Sequence, residues 1–245
     1  MNTLTPHDIA KMLDHSTLQP YLTDEDIREG AKVALTYDTA SMCVRPGDVA
    51  LVAQLLKGSD VKVCTVIGFP HGAHLTSVKV FEAERAMDEG CVELDMVLNI
   101  GKMKSGEYDY VRQDIAAVCE AAHKRGAIVK VILETCYLTD AEKKKACELS
   151  EAAGADFVKT STGYGSKGAT VPDLRLMRES VSGRVRVKGS GGIRTLDAVL
   201  AARAVGASRC GVSATRAIME EAIARYERGE LCEKAAEEAI ASEGY

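Results

Sequence analysis

Three observations predict an α/β protein, a single (β/α)8 TIM barrel with a short N-terminal helix and a C-terminal helical tail. Short segments rich in Val and Ile alternate with amphipathic helical stretches along the 245 residues. Their starts are spaced by roughly twenty to thirty-five residues, the length of one βα unit. No linker, charge block or low-complexity run interrupts the alternation, so residues 1–245 read as one domain. The competing open, doubly wound sheet would usually carry a GxGxxG fingerprint after its first strand, and the sequence has none.

The apolar segments are 39–44, 61–67, 93–98, 128–134, 156–160, 185–188 and 208–212. Each is short and is followed by Gly, Pro, Ser or Thr, as suits strands covered on both faces. Segment 12–15, after a short N-terminal helix, supplies the eighth and least apolar strand. Helices begin at recognisable caps: Thr23 precedes Asp26, Thr139 precedes Glu142, and Thr195 opens the helix through 196–205. Gly90, Gly126, Gly154 and Gly206 stand where helices should stop. The tail, helical over 230–241, ends in Ser242-Glu243-Gly244-Tyr245. A terminal tyrosine there could reach over the barrel mouth and move protons; the plain alternative is a frayed end without a role.

Composition narrows the function classes. With 31 basic against 36 acidic side chains, a formal charge of −5 and 4% aromatics, the chain lacks the basic, ring-studded face of a nucleic-acid binder. No apolar run approaches the ~20 residues of a membrane span, and the first residues show no signal-peptide pattern, so a cytoplasmic protein is expected. The eight cysteines form no CxxC and are expected to be free, mostly buried thiols of a reducing compartment. Cys43, at a strand end, is the one that could line a pocket. His71 and His74 resemble a metal pair, but no further ligands lie nearby in sequence and no metal is assigned.

In such barrels chemistry sits at the C-terminal strand ends. Here those ends carry Asp14, Cys43, Gly68-Phe69-Pro70, Asp95, Glu134-Thr135, Lys159-Thr160-Ser161, Lys188-Gly189-Ser190 and Gly211-Val212-Ser213. Two lysines at the ends of adjacent strands stand out, because desolvating an ammonium group is expensive. Strand alternation turns Lys159 and Lys188 inward, together with Glu93, Asp95, Lys130, Glu134, Phe157 and Arg186. A pairing of Arg186 with Glu134 or Glu93 is expected from that parity. Adjacent strands lie ~4.8 Å apart. Two ammonium groups at about 5 Å repel by roughly 3 kcal/mol, which drives one towards the free amine. A free amine attacks carbonyls, and the resulting imine is an electron sink suited to making or breaking carbon–carbon bonds.

Three glycine-bearing loops suit phosphate: Lys159-Thr160-Ser161-Thr162-Gly163, Gly191-Gly192-Ile193-Arg194-Thr195 and Gly211-Val212-Ser213-Ala214-Thr215. Backbone amides can converge there, helix N-termini add partial positive charge, and Arg194 supplies a forked donor.

The runs Phe157-Val158-Lys159-Thr160-Ser161-Thr162-Gly163 and Val187-Lys188-Gly189-Ser190-Gly191-Gly192-Ile193-Arg194-Thr195 closely resemble the deoxyribose-phosphate aldolase family. So do Leu13-Asp14-His15-Ser16-Thr17-Leu18, Val66-Ile67-Gly68-Phe69-Pro70, Glu93-Leu94-Asp95-Met96-Val97 and Lys130-Val131-Ile132-Leu133-Glu134-Thr135. The resemblance spans about residues 10 to 220. It implies a class I aldolase without metal or cofactor, a homodimer or homotetramer, cleaving 2-deoxy-D-ribose 5-phosphate to glyceraldehyde 3-phosphate and acetaldehyde. It also implies that Lys159 forms the imine, Lys188 tunes it, and Asp95 relays protons. By the same resemblance Asp14 and Ser16 lie near the sugar hydroxyls. Cys43 and Thr160 join the substrate site, and Gly163, Gly191, Gly192, Arg194, Gly211 and Ser213 hold phosphate. Tyr164 departs from the family by standing where some members carry a basic phosphate contact, and Arg186 stands where a small residue is usual. A sugar-phosphate isomerase working through Asp95, or a barrel that only binds a phosphorylated metabolite, are the alternatives; neither needs an imine at Lys159.

Overall fold

The computed structural model describes residues 4–233. Eight parallel strands, β1 (Leu13–Thr17), β2 (Ser41–Val44), β3 (Lys62–Ile67), β4 (Glu93–Val97), β5 (Ile128–Ile132), β6 (Phe157–Lys159), β7 (Arg186–Ser190) and β8 (Ala207–Val212), close in sequence order, with β8 pairing back onto β1. The helices are α1 (Pro6–Ala10), α2 (Asp24–Tyr37), α3 (Val49–Leu55), α4 (Thr76–Asp88), α5 (Ile100–Lys104), α6 (Tyr108–His123), α7 (Asp140–Ala152), α8 (Val171–Glu179), α9 (Leu196–Ala204) and α10 (Thr215–Glu227). None is long and apolar enough to cross a membrane. The tail beyond 233, including Tyr245 and most of the helix expected over 230–241, lies outside the described residues.

Local signals act where the sequence puts them. Thr23 and Asp26 open α2 with a reciprocal capping box, Thr139 and Glu142 do the same for α7, and the Thr195 side chain accepts the Ala198 amide at the start of α9. Gly90, Gly126, Gly154 and Gly206 take positive φ between helix and strand.

Outward-facing strand residues such as Val129, Val131, Val158 and Val187 pack with the helices in one large apolar layer. The barrel interior differs: only Cys43, Cys64 and Val66 form a small apolar cluster there, touched by Leu18 and Phe69. Much of the remaining interior is charged. All eight cysteines are free, six of them buried.

The expected pairing of Arg186 is corrected. It is the first residue of β7, its side chain is exposed, and it pairs with neither Glu93 nor Glu134. Its guanidinium lies 4.0 Å from the centre of the buried Phe157 ring, capping the barrel floor as a cation–π contact. The partners of Glu93 are instead Lys130 at 2.7 Å and Arg209 on β8, whose two terminal nitrogens reach the carboxylate at 3.2 and 3.3 Å.

A second buried charge pair lies in the helix layer. Lys79 of α4 donates to Asp114 of α6 at 2.6 Å and to the Val97 carbonyl at 3.0 Å, while the Thr76 hydroxyl donates to the other Asp114 oxygen at 2.8 Å. Both charged side chains are fully buried.

Candidate active site

Strand register assembles the site. Lys159 and Lys188 are direct partners across β6 and β7, Asp95 opposes Lys130 across β4 and β5, and Lys188 opposes Arg209 across β7 and β8. Lys159 and Lys188 each donate to the same oxygen, Asp95 Oδ2, at 2.7 Å. Lys130 donates to Asp95 Oδ1 at 2.8 Å and pairs with Glu93 at 2.7 Å. Asp14 binds Lys188 through Oδ2 and Arg209 through Oδ1, and it accepts the Ser41 hydroxyl at 2.7 Å. Gly211 leaves room for the Lys188 stem, since a β-carbon there would sit 3.3 Å from Lys188 Cε.

Four cations therefore meet three carboxylates: Lys130, Lys159, Lys188 and Arg209 against Asp14, Glu93 and Asp95. Burial alone would raise the Asp95 carboxyl, but Lys130, Lys159 and Lys188 outweigh it and hold Asp95 well below the carboxylate range. Asp14 is held low in the same way by Lys188, Lys130 and Arg209. Burial would lower Lys188, yet Asp14 and Asp95 hold it above the usual lysine value. Lys188 is thus a fixed ammonium. Cation crowding is only half of the field expected from the sequence, because two carboxylates pin the second lysine in its charged form. Lys159 has Asp95 as its single carboxylate partner, in a cluster that holds one more cationic side chain than carboxylates.

Above this network lies a cavity of about 170 Å³. Its lining comes from four strand ends: Ser16, Leu18 and Gln19 at β1; Lys159 and Thr162 to Tyr164 at β6; Ser190 to Arg194 at β7; Gly211 to Ser213 at β8. Of the three core lysines only Lys159 touches it. Gly191 adopts φ 81° and packs on the loop after β6, where a β-carbon at Gly168 would fall 2.1 Å from the Gly191 carbonyl. Among the described residues no hydrogen bond takes up the amides of Gly163, Gly191, Gly192 or Ser213. Two other amides after β6 are turned inward: Thr162 N–H donates to Glu134 at 3.3 Å and Tyr164 N–H to Thr162 Oγ1 at 3.0 Å. The Tyr164 hydroxyl donates to the Leu18 carbonyl at 2.9 Å, and its ring meets Phe69 edge-on at 5.5 Å. Tyr164 therefore walls the mouth.

The sequence-derived residues fall into two tiers. Lys159, Ser16, Gly163, Gly191, Gly192, Arg194, Gly211 and Ser213 line the cavity. Lys188, Asp95, Asp14, Cys43 and Thr160 lie beneath it, all fully buried. Thr160 Oγ1 donates to the Ser190 carbonyl and accepts the Ser190 amide, which zips the loops after β6 and β7 together. A hydrogen bond from the Cys64 thiol draws the Cys43 thiol below its usual value. Cys43, Cys64 and Asp95 bring three donor atoms within 4.8 Å of one another, but both Asp95 oxygens are occupied by ammonium groups, which disfavours a cation there. His71 and His74 are exposed and belong to no such cluster among the described residues. Arg209 is the member that sequence reasoning missed, although the parity that turns Gly211 inward also turns Arg209 inward.

Comparison with known proteins agrees with this geometry. The profile of the DeoC/LacD family of aldolases matches residues 8–221. A deoxyribose-phosphate aldolase of Thermococcus gammatolerans is 55% identical over 217 residues, covering 88% of this chain and 96% of the relative. Among solved structures, QR15, an aldolase, superposes with a TM-score of 0.86 at 40% identity, covering 90% of this chain and 98% of that one. The structure of a tetrameric deoxyribose-phosphate aldolase from Aeropyrum pernix gives 0.83 at 32% identity, covering 89% and 92%. A closed barrel with its lysine–carboxylate cluster under the mouth, matched nearly end to end by these relatives, identifies the chain as a lyase belonging to the DeoC/LacD family of aldolases.

Proposed function

We propose that this enzyme reversibly cleaves 2-deoxy-D-ribose 5-phosphate to D-glyceraldehyde 3-phosphate and acetaldehyde through an imine on Lys159. The observation that carries the reading is the division of labour between the lysines. Lys159 alone reaches the cavity, while Lys188 and Lys130 stay below it as charged groups.

The neutral Lys159 amine attacks C1 of the open-chain sugar, and the carbinolamine loses water to give a cationic imine. The proton on the C3 hydroxyl is then removed, the C2–C3 bond breaks, and its electron pair moves into the imine to form an enamine. Glyceraldehyde 3-phosphate leaves. Protonation of the enamine carbon and hydrolysis of the imine release acetaldehyde and restore Lys159. Asp95 contacts both lysines and is the carboxylate suited to carry these protons, with Lys188 tuning it as a fixed positive charge. Ser16 meets the sugar hydroxyls from the cavity wall; Asp14, Cys43 and Thr160 support the floor. The unclaimed amides of Gly163, Gly191, Gly192 and Ser213, with Gly211 and the exposed Arg194, receive the phosphate.

The chemistry requires no metal or cofactor. Eight free thiols favour a cytoplasmic location, and the tetrameric Aeropyrum pernix relative favours a homo-oligomer. The direct test is consumption of 2-deoxyribose 5-phosphate with stoichiometric release of acetaldehyde. Arg194→Ala should raise KM by about tenfold, the loss of one charge-assisted contact, with little change in kcat. Absence of acetaldehyde release would refute the reading.

A further inference from the structure

Five carboxylates are buried among the described residues: Asp14, Glu93, Asp95, Asp114 and Glu134. Four are paired with cations at short range. Glu134 alone has no cationic partner within 4.0 Å, and its backbone is in the left-handed region, at φ 55° and ψ 64°, where a side chain is disfavoured. An unpaired buried carboxylate on a strained residue needs a local reason.

That reason lies in the loop after β6. Both Glu134 oxygens accept the Thr162 amide at 3.3 Å, and Oε2 also takes the Thr162 hydroxyl. Thr162 Oγ1 in turn accepts the Tyr164 amide at 3.0 Å, and the Tyr164 hydroxyl closes the chain on the Leu18 carbonyl. Gly165 folds directly over the carboxylate, where a β-carbon would lie 3.1 Å from Glu134 Oε1 and 2.8 Å from Cys136 Sγ. Glu134 is absent from the cavity lining, yet Thr162, Gly163, Tyr164 and Leu18 are all in it.

We infer that Glu134 is a positioning residue for the reaction. From the end of β5 it anchors the Thr162–Tyr164 segment, fixing the free Gly163 amide towards the cavity and the Tyr164 wall against the β1 loop. The hydrogen-bond direction explains the choice of residue. A carboxylate only accepts, so it can take the Thr162 amide and hydroxyl together and orient Thr162 Oγ1 to receive Tyr164. This role deepens the lyase reading and rests on it. Glu134 acts on the phosphorylated end of the substrate and leaves imine formation to Lys159.

The test separates those two ends. Deuterium exchange at the acetaldehyde methyl group requires the Lys159 imine and no phosphorylated partner; cleavage of 2-deoxyribose 5-phosphate requires both. In Glu134→Gln and, independently, Thr162→Val, KM for cleavage should rise about tenfold, as expected for one or two lost buried hydrogen bonds. Acetaldehyde exchange in Glu134→Gln, which lies outside the cavity lining, should fall less than about threefold, a difference worth under about 1 kcal/mol. Thr162→Ser, which keeps the hydroxyl, should restore KM. An unchanged KM in folded variants, or exchange and cleavage falling in proportion, would overturn the assignment. Absence of exchange in the wild type would instead overturn the imine reading itself.

Discussion

Among the described residues lysines are buried in two places, and they behave differently. In the helix layer Lys79 meets Asp114 one to one, with Thr76 and the Val97 carbonyl completing the hydrogen bonds. In the barrel three lysines and Arg209 share three carboxylates, and Asp95 alone serves three ammonium groups. The first set is balanced and closed, with no route to the cavity. The second is one anion short and opens at Lys159. Buried charge by itself therefore does not mark chemistry in this fold; unbalanced buried charge that reaches a cavity does.

The largest expected effect is at the open end of the cluster. Lys159→Ala should lower kcat/KM on the order of 10⁴-fold or more, because no other core lysine reaches the cavity. Asp95→Asn, which keeps the shape but removes the shared anion, should cost about 10²- to 10³-fold in kcat, read from steady-state kinetics.

The closed pair should respond in stability and hardly in rate. Lys79→Met leaves Asp114 buried without its cation and should destabilise by about 3–5 kcal/mol in denaturant unfolding. Changing Asp114→Leu as well should recover most of that loss. In both variants kcat should stay within about twofold of wild type, a change below about 0.5 kcal/mol. A large fall in kcat with normal stability would erase the distinction between the two regions.

His15 offers a third kind of buried titratable group, one with no charged partner. Burial pushes its imidazole down to about 4, and Nδ1 lies 2.8 Å from Thr215 Oγ1 at the start of α10. The unfolded chain binds this proton near pH 6.5, whereas the folded one resists until about 4. Stability should therefore drain away as pH falls through that window, by up to about 3 kcal/mol, and be unaffected by His15 above it. A His15→Gln variant should show a flatter profile between pH 6.5 and 4. Smallest of all, Arg186→Ala should cost no more than about 1 kcal/mol of stability, since it removes a single stacking contact at the solvent-facing floor.

What the sequence revealed follows from periodicity. Val- and Ile-rich strands, threonine caps and helix-stopping glycines are local signals, and they recovered all eight strands and the inward parity of Lys130, Lys159, Lys188, Glu93 and Asp95. Parity held at Arg186, whose guanidinium stacks on the inward Phe157 ring, but the expected acidic pairing failed because a strand's first residue sits at the barrel rim, open to solvent. It was available but unused at Arg209. Lys79 and Glu134 carry no periodic signal as sites: one is a lysine inside a helix, and the other depends on a left-handed backbone and a hydrogen bond to Thr162, 28 residues away. The inward-turned amides of Thr162 and Tyr164 after β6 were hidden for the same reason.

The central claim is that the unbalanced cluster delivers its free amine at Lys159 and nowhere else. Borohydride reduction in the presence of acetaldehyde, followed by peptide mass mapping, tests it most directly. The expected result is a single ethyl adduct on Lys159, abolished in Lys159→Ala. An adduct on Lys188 or Lys130, or no adduct in an active enzyme, would contradict it.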